Sequence, residues 1–499
     1  MIYTLILSFI LELVFYLIPP AFLKKLLAIL AGMSLIAAEL LAINSRSVTL
    51  IGLLLLVGLF RGVNIARFLK GRMHNAYRQR VCKRTSLHLL LATVLIVSLF
   101  YLLRINELNS FLLTFVALQL VAAVSILVIL IINLLSYRRK QLTGYLADKE
   151  LPSVTVAIPA RNETADLTNC LRGLIANDYP KLEILVLDDC SQDKTAEVIK
   201  SFAQDGVRFL LGHPADNNWL DKNFAYQQLL NEASGELILF CGVDTRFGPG
   251  TIREMVNTLY VQKIDMLSVL PVRHVSTPST SLIQPLRYWW ELVLPRNIMG
   301  RPAVLSTVWL IKNRALKNMG GFDAVKRSIL PEAYFARRLF AKKLYKFFRH
   351  DQKLDVQTYK TYRDQRETAV RMRYPQAHKR PEIVLLLTTV ELSLLLLPIV
   401  QVFVFLVTGN GVMAKLSILT TLLLIITHIM VVYVSNPANV VLAMMNFPVV
   451  IVTELILGIY SMYKYEFSEI LWKDRNICIP VMHVYSHMPK LTDINTAKH

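Results

Sequence analysis

"LPSVTVAIPARNETADLTNCLRGLIANDYPKLEILVLDDCSQDKT" occupies residues 151–195. Two short runs rich in β-branched residues, "VTVAIPA" (154–160) and "LEILVLDD" (182–189), flank a stretch with Leu167, Leu171, Leu174 and Ile175 at helical spacing. Uninterrupted apolar runs of this length predict strands buried on both faces of a sheet. "KTAEVIKSFAQD", "VRFLLG" (207–212) and "GELILFCGVD" (235–244) continue the alternation. Strands alternating with helices imply right-handed crossovers in a largely parallel sheet. In such sheets ligands bind beyond the carboxyl ends of the strands.

The residues just after each run are polar. The first ends in Pro159, Ala160, Arg161, Asn162 and Glu163, the second in Asp188 and Asp189 followed by Ser191 and Asp193, and the "LILF" run in Asp244. Ser191 and Asp193 also read as helix caps. Asp188 and Asp189 do not, because adjacent carboxylates at a buried strand end repel each other unless something binds them.

Either side of this domain the chain turns apolar. Hydrophobic residues make up 54% of the 499, which excludes an ordinary soluble protein. Stretches long enough to span a bilayer are 1–20, 21–43, 47–65, 87–103 and 110–135, then 382–408, 413–435 and 438–463. The opening "MIYTLILSF" lacks a basic region and a small-residue cleavage site, and reads as an uncleaved anchor. The net charge of +20 sits largely beside the membrane, in "PPAFLKKL", "ARFLKGRMHNAYRQRVCKR" (66–84) and "SYRRK" (136–140). These are alternate loops, so the positive-inside rule predicts a cytoplasmic polar interval in a multi-pass cell-membrane protein. That placement argues against nucleic acid as a partner. Five cysteines without CxxC spacing fit a reducing compartment and no zinc site. Three C-terminal crossings would put the tail "YEFSEILWKDRNICIPVMHV" outside, and a re-entrant element at 382–408 or 438–463 would keep it inside; hydropathy leaves both open. The expected organisation is a membrane region at 1–140, the α/β domain at 152–365, a juxtamembrane segment with two to three helices at 366–463, and a tail at 464–499.

"VTVAIPARNE", "EILVLDDCSQDKT", "NNWLDKNFA" and "GELILFCGVDTRF" occur in the order and spacing of a family 2 glycosyltransferase, and residues 152–345 resemble that family and its GT-A fold. Within it, "WLIKNRALKNMGGFDAVK", "KNFA" and "SEILWKDRNICIPVM" are similar to segments of membrane enzymes that glycosylate lipids, such as carotenoid glycosyltransferases. The resemblance implies inverting transfer of a sugar from a nucleotide-diphosphate sugar, a UDP-sugar first of all, to a lipid hydroxyl at the cytoplasmic face. It assigns Ala160, Glu163 and Asp189, with Asp188 beside them, to the nucleotide. Lys222 would approach the diphosphate or donor sugar, unless it is simply solvated. Asp244 is the second aspartate of the family's Asp-x-Asp and would hold Mg2+ or Mn2+, although Gly242 stands in place of the first. In "ILPEAYFARRLF" Glu332 takes the position of the base aspartate, and Pro331 replaces its acidic neighbour. Glu332 reads equally as a first-turn acid behind an N1 proline. "QTYKTYRDQRETAVRMRYP" (357–375) resembles the family's closing segment and offers Arg363 or Arg366 to the donor phosphates; spacing does not choose between them.

"QPLRYWW" (284–290) is similar to the Gln-x-x-Arg-Trp of processive synthases, but it precedes Glu332, whereas that motif follows the base. "SLIQPLRYWWELVLP" reads instead as an amphipathic in-plane helix with Tyr288, Trp289 and Trp290 at headgroup level, or as core packing. "ARRLFAKKLYKFFRH" (336–350) reads as a basic surface over anionic lipid or as a solvated helix face. Two rival functions follow from the same residues. Gly242 and Pro331 favour a catalytically degenerate scaffold or regulator, which the retained Asp189, Lys222, Asp244 and Glu332 oppose. A transporter draws only on the number of spans, since Glu12, Glu39, Glu391, Lys415 and Glu454 are scattered.

Overall fold

A computed structural model describes residues 11, 29–34, 36–37, 108–139, 144–216, 218–274, 284–468, 470–472 and 475–476. The chain divides into two units, Met1–Phe115 and Val116–His499. In the first, the short pieces at 29–34 and 36–37 are helical; the stretches 47–65 and 87–103 and most of 1–20 and 21–43 lie outside the described residues, as does the basic loop at 66–84.

The second unit holds the α/β domain. β1 (Val154–Ala160) and β2 (Leu182–Asp188) pair in parallel from Val154 opposite Leu182 to Ala160 opposite Asp188. α2 (Thr164–Ile175) joins them, after α1 (Leu108–Ser136). It buries Leu167, Cys170, Leu171 and Leu174, while Ile175 faces outward, so Cys170 takes the place in the stripe expected of Ile175. Next come α3 (Thr195–Ser201), β3 (Val207–Leu211), α4 (Asp221–Glu232), β4 (Leu237–Cys241), β5 (Thr245–Phe247), α5 (Thr251–Val261), β6 (Met266–Leu270) and β7 (Val272–His274). The domain continues with α6 (Gln284–Leu292), β8 (Val308–Lys312), α7 (Asn313–Asn318), α8 (Pro331–Ala341), β9 (Tyr345–Arg349), β10 (Val356–Tyr359) and α9 (Tyr362–Gln376).

The main sheet has seven strands in the order β3-β2-β1-β4-β8-β6-β9. β8 alone runs against both its neighbours, β4 and β6. A second sheet, β5-β10-β7, sits at the end of β4. Side-chain alternation along the strands builds two cores. In β4, Leu237, Leu239 and Cys241 join Leu167, Leu171 and Ile252 on one face, while Ile238 and Phe240 join Tyr226, Trp309 and Phe335 on the other.

That second core runs without a break into the membrane helices. Among the described residues four helices are long and apolar enough to cross a bilayer: Leu112–Ser136, Pro381–Val407, Gly411–Ser435 and Met444–Phe467. The stretches expected at 110–135, 382–408, 413–435 and 438–463 are these. The second is interrupted by a π-turn at Leu392–Leu396 just before Pro398, a proline position that costs a regular helix one hydrogen bond. We label the last two α10 (Gly411–Ser435) and α11 (Val440–Phe467). Leu424, Val431, Phe447 and Ile451 from them share the core with Trp289, Trp309 and Phe335.

Polar links fix the domain to these helices. Asn133 donates to the carbonyls of Leu292 (2.7 Å) and Leu294 (2.9 Å). Tyr465 Oη donates to the Arg371 carbonyl (2.8 Å), and Arg373 pairs with Glu454. Arg139 of "SYRRK" pairs with Asp351 and with Glu254; it is thus engaged within the protein, although its position had suggested only a cytoplasmic membrane-surface charge.

Candidate functional site

The carboxyl ends of β1, β2 and β4 carry the expected residues to one edge. Because β1 and β2 are in parallel register, Ala160 and Asp188 end side by side, and the Asp189 amide donates to the Ala160 carbonyl (2.8 Å). Arg161 donates to the carbonyls of Asp189 and Cys190, and Asn162 and Cys190 both take positive φ, so the two turns are laced together. Glu163 follows, half-buried, its amide donating to Thr195 Oγ1 (2.9 Å). Asp188 accepts from the Ser191 amide (3.3 Å), and Asp193 accepts from Thr164 and Thr195, which makes Asp193 a brace between the turns.

α4 supplies two functions from adjacent residues. Asn223, 1% exposed, reaches the carbonyls of Val325 (2.9 Å), Lys326 (3.2 Å) and Ser328 (2.7 Å), and the Leu220 amide donates to Lys326 as well. The segment leading to α8 is thereby tied down, and α8 begins with Pro331 at its first turn and Glu332 next, 2% exposed. Lys222, the residue before Asn223, holds its ammonium 5.2 Å from the Tyr226 ring centre. Burial pushes this ammonium down to about 8; Glu332 and Asp244 draw it up, while Arg371 and Lys360 push it further down. Two carboxylates and two further cations thus act electrostatically on Lys222.

Asp244 closes the site from β4. Its carbonyl accepts from the Tyr359 amide (2.9 Å), so the pairing of β10 with β5, in which Thr358 lies opposite Thr245, sets Lys360 beside it. Lys360 Nζ lies 3.3 Å from Asp244 Oδ2. Burial works against ionisation of this carboxyl, but the Lys360 charge, with Arg273 behind it, holds it below the usual carboxylate range. At Gly242 an added Cβ would come 2.4 Å from Asp244 Oδ1, so the carboxylate itself fills the space of a side chain there. A divalent cation expected here would have to share this carboxylate with Lys360: one Asp244 oxygen faces the ammonium and the other packs over Gly242.

Two expectations need correction. Arg363 and Arg366 are exposed on the outer face of α9, and Arg363 pairs with Glu367; the arginine whose charge is felt at Lys222 and Tyr226 is Arg371, further along the same helix. Tyr288 and Trp289 do not lie at headgroup level: both are fully buried, with Trp290 half-buried, because α6 packs against α10 and α11. The Tyr288 hydroxyl accepts from Arg273 Nε (2.5 Å), so it positions the cation behind Asp244. Lys222, Asp244 and Glu332 do converge, while Lys360, Arg371 and Asn223 complete the arrangement unassigned by sequence reasoning. Asn223 had a signal in "KNFA"; Lys360 had none, since its neighbour is made by a distant strand pairing.

This topology, with its acidic strand ends, is that of a GT-A glycosyltransferase domain flanked by membrane helices. Residues 155–302 match the family described as Glycosyl transferase family 2, and this part of the chain is a domain of that family. Glu332, Lys360 and Arg371 lie beyond the matched segment. Curated relatives include a probable glycosyltransferase, YdaM, of Bacillus subtilis, 33% identical over 19% of this chain and 24% of its own length. The 4,4'-diaponeurosporenoate glycosyltransferase of Staphylococcus aureus is 30% identical over 27% of this chain and 36% of its own. The chain thus spans well under half the length of these relatives. Among solved structures, the mannosyltransferase PcManGT of Pyrobaculum calidifontis, in complex with GDP-Man and Mn2+, is 16% identical with a TM-score of 0.41, over 71% of this chain and 98% of that one.

Proposed function

We propose that the protein is an inverting membrane glycosyltransferase that moves a sugar from a nucleotide-diphosphate sugar, UDP-linked in the first instance, to a lipid hydroxyl at the cytoplasmic face of the cell membrane. The observation that carries this reading is the acidic edge at the ends of β1, β2 and β4, with the buried Glu332 at the start of α8 near enough to Lys222 to raise its affinity for a proton. Ala160, Glu163, Asp188 and Asp189 line the nucleotide end of that edge. In the reaction the acceptor oxygen forms its bond to the anomeric carbon and gives its proton to Glu332. The bond from that carbon to the β-phosphate oxygen breaks, and the electron pair leaves with the nucleoside diphosphate. The cations around Asp244 offset the charge that develops there.

Two features support a lipid acceptor. α9 and α6 are packed on membrane helices, which holds the site close to the bilayer. The turn after α6 presents Ile298, 90% exposed, and Met299, an apolar tip beside the exposed Arg301 that suits an anionic membrane surface. The scaffold alternative has Gly242 in its favour, yet the base, the cations and the Asn223 anchor are all retained. The test is donor binding and slow donor hydrolysis across a panel of nucleotide sugars, with wild type and Glu332→Gln. The reading predicts one donor bound equally by both and turned over about 10²- to 10⁴-fold more slowly by the variant. Equal turnover, or no donor bound, would reject it.

A further inference from the structure

We propose that the Lys360 ammonium stands in for a divalent cation, so that the nucleoside diphosphate is held by Lys360, Lys222 and Arg371 and binds without added metal. This rests on the transferase reading above. Metals such as Mg2+ and Mn2+ need oxygen ligands with free lone pairs at short distance. Beside Asp244 the place of a cation is already taken by an ammonium, with Lys360 Nζ 3.3 Å from Oδ2 and Oδ1 packed over Gly242.

Lys360 is also held where it is from both sides. The Tyr359 amide before it bonds the Asp244 carbonyl, and Thr361 after it forms a capping box with Asp364 that starts α9. Its ammonium is thus fixed at the mouth of the β4 loop, with its side chain 24% exposed. Glycine in place of one aspartate and the charge of Lys360 together make the site more positive by two, as much as a divalent ion would bring. A pair of carboxylates needs a divalent ion to attract a diphosphate; one carboxylate with a lysine on it already leaves the neighbouring cations in excess. Around the site Lys222, Lys360, Arg371 and Arg273 face the carboxylates of Asp244 and Glu332. Such a cluster is strained by like charge until an anion enters, and lysine binds phosphate as a point charge. When the sugar–phosphate bond breaks, the electron pair placed on the β-phosphate oxygen meets these ammonium and guanidinium groups.

The experiment is calorimetric titration of UDP and of GDP into the full chain in detergent, with excess EDTA and then with Mn2+. The proposal predicts that wild type binds one nucleotide within about twofold equally in both conditions. Lys360→Met should lose about ten- to a hundredfold in EDTA and recover with Mn2+, because Asp244 is then released to a metal. Lys360→Arg should keep metal-free binding and serves as the folded control. Wild-type binding that requires Mn2+, or Lys360→Met binding in EDTA like wild type, would overturn it. If wild type binds neither nucleotide in any condition, the transferase reading itself fails and this inference falls with it.

Discussion

Replacing Asn223 by alanine removes the tie between α4 and the segment that delivers Glu332. Its Nδ2 has two N–H groups shared among the carbonyls of Val325, Lys326 and Ser328 at 2.7–3.2 Å, all in a dry environment. Each such bond contributes about 1 kcal/mol net, and a buried acceptor left dry costs about as much again, so the segment loses on the order of 2 kcal/mol. If that loss falls on the segment's closed position, its occupancy and hence turnover drop about thirtyfold, since 1.4 kcal/mol is tenfold. Donor binding should hold, because the nucleotide end is built by β1 and β2. Asn223→Asp should be worse than alanine, as it sets a carboxylate against three carbonyls. Donor turnover and UDP binding, measured side by side on detergent-purified protein, test this. Turnover that stays at the wild-type rate in Asn223→Ala, or binding that falls in step with turnover, would show that Asn223 only fills space and that the reasoning is wrong.

Further outcomes follow from other residues. Lys222 titrates near 8 in the free protein, below its ordinary value, so its charge is present below about pH 8 and lost above it. Donor affinity should therefore weaken above that pH by up to about tenfold per unit, and Lys222→Arg should flatten the profile; titrations from neutral to alkaline pH read this directly. The folding cost of burying that charge runs the other way, full below about 8 and fading as pH rises toward the unfolded value, so Lys222→Met should stabilise most at neutral pH in thermal melts. Arg371→Ala should weaken UDP binding about tenfold or more, while Arg363→Ala and Arg366→Ala change it by less than about twofold. Ile298→Asp should leave donor hydrolysis intact and reduce transfer to lipid in vesicles severalfold, visible as a split between the two rates.

The strands were legible because burial on both faces leaves nothing but apolar residues between polar turns. "VTVAIPA" is β1 to the residue, and Asp188, Asp189 and Asp244 fall at strand ends as the alternation implies. Glu332 at a helix start was legible from its proline, and both of its readings hold at once, since it opens α8 and faces the site. What periodicity does not carry is which elements meet. Lys360 lies beside Asp244 only because β10 adds to β5 in antiparallel register, a non-local pairing with no sequence period. The same limit hid Tyr288 and Trp289: an amphipathic helix has one apolar face whether lipid or protein covers it, and here α10 and α11 cover it. On α9 the buried phase at Thr368, Ala369 and Met372 turns Arg363 and Arg366 outward and brings Arg371 toward the site.

The central claim is transfer to a lipid with Glu332 as base. Membrane vesicles holding the full chain, supplied with a panel of nucleotide sugars and a lipid extract, should yield a new lipid species one sugar heavier by mass spectrometry, absent with Glu332→Gln. No such species with any donor, or the same species from the glutamine variant, would contradict the account.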